Sequence, residues 1–209
     1  LIICATFAPT SRITYDDRFE SVRNAPFLIL DDLGAQSATA WAQEKLFQLL
    51  NHRYNEQLAT VITTNRELEE IEPSIRSRLS DSRLCIIATI LAPDFRQGGV
   101  DAHGSGVSNL ALYSEMTFES FDQRGDELKG DLRDNLRRAF HIAQDYAKRP
   151  QGMIVFTGDY GSGKTHLAAA IANSLTKNGH AVLFVVVPDL LDHLRRFCAR
   201  QLDLVRPPL

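Results

Sequence analysis

Three cysteines, two methionines and one tryptophan are all that 209 residues contain of these types. Cys4, Cys85 and Cys198 stand far apart with no CxxC spacing, which argues against a zinc site and a disulfide framework and fits a reducing compartment. An excess of one charge is also lacking. The 23 Lys and Arg face 26 Asp and Glu, a net charge of -3, so the whole molecule advertises neither a nucleic-acid nor a membrane-surface partner, and any DNA contact has to be local. No apolar run approaches the ~20 residues of a membrane span. The opening Leu-Ile-Ile-Cys-Ala is too short for a signal core and has no basic flank. A soluble, cytoplasmic chain is expected. No initiator Met opens it, and Arg206-Pro-Pro-Leu209 closes it without domain logic, so it reads as a fragment or a translated segment.

What is present alternates between two periods. Short apolar runs at 27–30, 60–63, 85–90, 153–157 and 181–187 read as buried parallel strands. Helical patterns fall at 39–55, with Ser37 or Thr39 as N-cap, at 67–78 with a break at Pro73, at 131–148, at 164–177 and at 188–196. Strands and helices joined by short links imply an α/β fold, a parallel sheet covered on both faces. Gln97-Gly-Gly-Val-Asp-Ala-His-Gly-Ser-Gly106 is a linker by composition and divides the chain.

The densest chemical signal is Gly158-Asp-Tyr-Gly-Ser-Gly-Lys-Thr165, a G-x-x-x-x-G-K-[ST] loop between a strand and an amphipathic helix. Its glycines let backbone N–H groups and the helix N-terminus face phosphates. Lys164 neutralises the β and γ oxygens, and the Thr165 hydroxyl suits Mg²⁺, which prefers hard oxygen ligands. The ATP cradle is therefore placed on Gly158, Asp159, Tyr160, Gly161, Ser162, Gly163, Lys164, Thr165 and His166, with His166 more a packing or surface residue than a catalyst. Phe27-Leu-Ile-Leu-Asp-Asp32 supplies the expected acidic strand. Asp31 is assigned to Mg²⁺, directly or through water, and Asp32 to the attacking water as general base. Asn65 ends another strand, placed to bond the γ-phosphate or the lytic water, or else to terminate the strand as a turn residue. In Ser74-Ile-Arg-Ser-Arg-Leu79 the arginines are either salt-bridged surface residues or an arginine finger.

Together these segments resemble the AAA+ ATPase domain of DnaC/DnaI-type helicase loaders, a family that includes the IstB transposition helpers. Gly163-Lys-Thr-His-Leu-Ala-Ala-Ala-Ile-Ala-Asn173, Val187-Pro-Asp-Leu-Leu191 and Tyr15-Asp-Asp-Arg-Phe19 leading into Leu28-Ile-Leu-Asp-Asp-Leu-Gly34 carry the likeness. It implies a five-stranded phosphate-loop NTPase without a full lid domain. Lys164 and Thr165 correspond to Walker A, Asp31 and Asp32 to Walker B, Asn65 to sensor I and Arg78 to the arginine finger, with Arg76 as runner-up. Arg96 is a weak second-sensor candidate, and Phe118 and Phe121 either approach the base or pack in the core. Many family members carry Glu where Asp32 stands, so slow hydrolysis is expected from the shorter side chain.

The resemblance implies loading of a replicative helicase onto single-stranded DNA in primosome assembly, by a homo-oligomer whose finger acts in trans. An IstB-like transposition helper and a nucleotide-binding remnant are the alternatives. Arg12, Arg18, Arg195, Arg196 and Arg200 are DNA-contact candidates or ordinary surface charges.

One departure stands out: the acidic strand precedes the phosphate loop. The likeness is complete in cyclic order, as in a circular permutant. Residues 1–96 hold Walker B, sensor I and the finger, 97–130 the linker and 131–196 Walker A, with 197–209 an unmatched tail. A fragment spanning two tandem domains is the other explanation of this order.

Overall fold

The computed structural model describes residues 15–35, 39–93, 110–125 and 127–204, with side chains from 16 to 196. Five strands, β1 (Phe27–Asp31), β2 (Ala59–Thr64), β3 (Cys85–Ile90), β4 (Met153–Gly158) and β5 (Val182–Val186), form one sheet in the order β3-β4-β2-β1-β5. Every pairing is parallel. This is the α/β phosphate-loop NTPase architecture expected from the sequence. The order interleaves the two sequence halves: β4 lies between β3 and β2, and β5 pairs only with β1. The strands of neither half are contiguous without the other.

Strand alternation sends side chains to two cores. Leu28 and Leu30 of β1 face one cluster with α1 (Tyr15–Arg23), α2 (Ala40–Asn55), α3 (Pro73–Leu79) and α6 (Val187–Leu204). Phe27 and Ile29 face the other, built on α4 (Asp131–Lys148) and α5 (Lys164–Lys177). Small buried residues, Ala168, Ala169 and Ala172, line the face of α5 that meets this core. Thr39 caps α2, its hydroxyl accepting from the Ala42 N–H, while Ser37 lies outside the described residues.

Several boundaries differ from expectation. Helix α1 is an additional element ahead of β1. Helix α6 continues to Leu204, into the span expected as an unmatched tail. The described part of the expected 97–130 linker is a strap packed on the second core: Leu128 is buried, and Leu110, Tyr113, Met116, Phe118 and Phe121 are partly buried against it. Asn173 on α5 donates to the carbonyls of both Tyr113 and Met116. The Gly-rich composition at 97–106 says nothing of the aromatics that follow it. Among the described residues, no helix is long and apolar enough to cross a membrane.

Two polar clamps fasten the sheet. At edge strand β3 the Asn135 side chain donates to Thr89 O and accepts from Leu91 N, both at 2.9 Å. This is the pattern a residue of a neighbouring parallel strand would make. Near the start of β2, the guanidinium of Arg53 is fully buried, and its bonds among the described residues go to a hydroxyl and to carbonyls. Its Nε donates to Thr60 Oγ1, Nη1 to the carbonyls of Arg23 and Ala25, and Nη2 to Ala59 O. Burial lowers its pKa to about 10, so it stays charged at neutral pH. Replacing Arg53 by Met strands buried carbonyls and should cost roughly 2–4 kcal/mol. Urea unfolding of R53M beside wild type checks this; an unchanged midpoint contradicts the clamp.

Candidate functional site

At the carboxyl end of β4 the chain turns through 159–163 and enters α5 at Lys164. Gly158 has φ +139°, and a Cβ there would stand 2.2 Å from Ile90 O, so a side chain is excluded by backbone. Gly163 caps α5 at φ +101°, with the Phe121 ring 3.0 Å from where its Cβ would be. The Lys164 side chain is buried. Its ammonium donates to Gly158 O at 2.9 Å, Asp159 O at 2.6 Å and Ser162 Oγ at 3.3 Å. The loop thus curls around the cation that a phosphate would meet. Tyr160 is exposed on the loop.

Asp31 ends β1 and is buried beside this loop. Its Oδ1 accepts from Thr165 Oγ1 at 3.0 Å and from Thr63 Oγ1 at 2.6 Å, while Oδ2 has no hydrogen-bond partner among the described residues. A hydroxyl 134 positions further along the chain thus shares this carboxylate oxygen with Thr63. Burial pushes Asp31 up to about 6, helped by the Asp32 charge and opposed by the bonds from Thr63 and Thr165 and by the charge of Lys164. Mg²⁺ is commonly held by one or two protein oxygens with water and phosphate oxygens filling the rest. A carboxylate with an open oxygen beside a threonine hydroxyl fits that donor set.

Asp32 follows in the left-handed region, φ +61°. For a residue with a Cβ this is uncommon and needs support from outside. The end of β2 provides it. The Asp32 N–H donates to Thr63 Oγ1 at 3.0 Å, and Asn65 Nδ2 donates to Asp32 Oδ1 at 3.1 Å. Leu33 N donates to Thr63 O at 2.8 Å, and Thr64 Oγ1 donates to Leu33 O at 2.6 Å. Asn65 was legible as a polar residue at a strand end. Thr63 and Thr64 carry the same kind of signal, hydroxyls closing an apolar strand.

Other expected residues lie elsewhere. Arg78 is tied within its own chain: Nε donates to Asn51 Oδ1 at 2.7 Å, Nη1 to Ser74 O at 2.6 Å, and its guanidinium lies 4.6 Å from the Phe47 ring centroid. Arg76 donates to Glu69 O. His166 turns from the loop to the strap, its Nε2 donating to Thr117 O at 3.0 Å and its ring meeting Phe121 edge-on. Burial lowers its pKa. Phe118 and Phe121 both pack on Phe140, so packing accounts for both, although Phe121 also touches the loop at Gly163. Arg18, expected at the surface, is buried and bonds His193 Nε2 at 3.1 Å. Arg195 and Arg196 are exposed, Arg195 lying over the Trp41 ring. Arg96, Arg12 and the side chain of Arg200 lie outside the described residues.

The glycine loop, its lysine and the threonine bonded to the acidic strand find their counterpart in known proteins: residues 107–201 match the family described as IstB-like ATP binding protein. The matched span holds the phosphate loop and the helix behind it and covers less than half of the chain. Over 120 residues the chain is 29% identical to the replicative helicase loader DnaC of Escherichia coli K12, covering 51% of this chain and 47% of that protein. It is 33% identical over 60 residues to the replicative helicase loader DnaI of Bacillus subtilis, 28% of this chain and 19% of the relative. DnaC of Buchnera aphidicola subsp. Baizongia pistaciae is 49% identical over 87 residues, 40% of this chain and 32% of the relative. The chain thus spans about half the length, or less, of the curated relatives it matches. No solved structure matches it.

The raised pKa of Asp31 has a consequence for the nucleotide-free protein. Between the usual carboxylate value near 4 and about 6, the folded chain holds a proton that the unfolded chain has released. Stability from this group therefore falls as pH rises through that window and is level above it. An asparagine keeps both bonds, since both fall on Oδ1. In EDTA at pH 7.5, D31N should be more stable than wild type by roughly 2–3 kcal/mol, raising Tm by about 5 °C. The gain should shrink towards pH 4.5. Calorimetry at the two pH values checks it; a pH-independent difference contradicts it.

Proposed function

We propose that this chain is a slowly hydrolysing, Mg²⁺-dependent ATPase module of the helicase-loader type, with ATP seated on Gly158–Thr165. The observation that carries this reading is the bond from Thr165 to Asp31, which joins the loop's hydroxyl to the acidic strand. Lys164 exchanges its loop carbonyls for β- and γ-phosphate oxygens, and the N–H groups at the start of α5 face the phosphates. Thr165 and Asp31 would hold Mg²⁺, which would supply positive charge against the phosphates. Asp32 accepts the proton of the attacking water, and Asn65 orients the water or the γ-phosphate, a role that its bond to Asp32 supports. The short reach of the Asp32 side chain supports slow turnover.

The relatives named above are helicase loaders, which supports a replicative helicase as partner in primosome assembly. Single-stranded DNA contact falls to Arg195 and Arg196, which stay exposed on α6. In the proposed homo-oligomer, Arg78 leaves Asn51 to complete a neighbour's site, with Arg76 as the other candidate. The interleaved sheet supports one ATPase unit in circularly permuted order.

ATP affinity by calorimetry and phosphate release test this reading together. Wild type should bind ATP and turn over well below the ~10 per second common for enzymes. K164A should bind about tenfold to a hundredfold more weakly, as expected for loss of a charge-assisted hydrogen bond of roughly 1.5–3 kcal/mol. R78A should keep ATP affinity and lose hydrolysis. A turnover in the hundreds per second, or K164A binding like wild type, overturns the proposal. Co-purification with a transposase and not with a helicase would favour the transposition role.

A further inference from the structure

Of the three threonine hydroxyls on β2 that make side-chain bonds, Thr60 serves Arg53 and Leu58 O, and Thr64 serves Leu33 O and Arg66 N. Thr63 alone touches both acidic residues. Its side chain is fully buried, and a β-branched residue in a strand has little freedom at χ1. The chemistry fixes the direction of each bond. A main-chain N–H can only donate, so the oxygen accepts from Asp32 N, and its one proton goes to Asp31 Oδ1. One rigid hydroxyl therefore holds the carboxylate of Asp31 and the backbone of Asp32, the residue in the left-handed conformation.

We infer that Thr63 is a positioning residue for ATP hydrolysis, setting the Asp31 carboxylate and the Asp32 main chain in one geometry through a single hydroxyl. The inference rests on the ATPase reading. It assigns Thr63 no contact with nucleotide, because both of its side-chain bonds go to protein groups. Nucleotide affinity without metal is therefore independent of Thr63. The rate and the Mg²⁺ requirement depend on it, since loss of the hydroxyl leaves the Asp31 carboxylate with the Thr165 bond alone and removes the acceptor of the Asp32 N–H.

The test compares T63S, T63A and T63V in the full chain. Serine and alanine at this position differ only by the hydroxyl, and valine is the isostere that lacks it. The readouts are ATP affinity in EDTA, kcat at saturating ATP, the Mg²⁺ concentration for half-maximal rate, and Tm. T63A and T63V should bind ATP in EDTA like wild type, lose about tenfold to a hundredfold in kcat, the scale of a small misplacement of reacting groups, and need several-fold more Mg²⁺. T63S should restore most of the rate and the normal Mg²⁺ requirement. T63A as fast as T63S overturns the inference, as does a T63S that folds but stays slow. Failure of T63A and T63V to fold beside a fully active T63S assigns the hydroxyl to stability and also overturns it. A wild-type chain without hydrolysis removes the ATPase reading itself, an outcome distinct from an active chain indifferent to Thr63.

Discussion

Burying a carboxylate is costly unless its lone pairs are met, and hydroxyls from two distant parts of the chain offset part of that cost for Asp31. Thr63 comes from the adjacent strand, Thr165 from the first turn of the helix behind the phosphate loop. Neither hydroxyl carries charge, so the carboxylate is held in place without being neutralised. The residual negative charge is what a cation beside phosphates requires. The polar arrangement at the strand ends extends from this group: Asp32, Leu33, Thr64 and Asn65 are bonded in succession along the junction between β1 and β2.

The sheet order explains why such distant residues can share an oxygen. With β4 inserted between β3 and β2, and β5 set against β1, the phosphate loop and the acidic strand both end at the carboxyl edge of one sheet. Parallel strands open their ligand crevices at that edge. The order of segments along the chain is then of little consequence to the site. Apolar burial on both faces ties the halves together, since each core draws strand residues from both of them.

The strands were legible because both-face burial leaves continuous apolar runs, and the amphipathic pattern at 164–177 marked the helix after the loop. The loop and Asp31-Asp32 were legible because their chemistry demands residue types at fixed spacing. The strap was not, since Phe118 and Phe121 carry no period that tells core from base contact. Arg18 and Arg53 were not either. A long cation reads as surface by composition, and only the fold reveals the acceptors that surround Arg53, two of them carbonyls from a different element. Thr63 stayed hidden for a related reason: threonine suits any strand, and its task is fixed by what lies on the neighbouring strand.

Interleaving also bears on how the protein emerges from the ribosome. β1, β2 and β3 are made first, but β3 cannot join the sheet until β4 exists to separate it from β2. About sixty residues lie between Ile90 and Met153, a delay of about three to twelve seconds at common synthesis rates of ~5–20 residues per second. Through that interval β1 and β2 lack their outer neighbours, and two strands alone are marginal in water, so the sheet is complete only when β4 and β5 fill the slots beside β2 and β1.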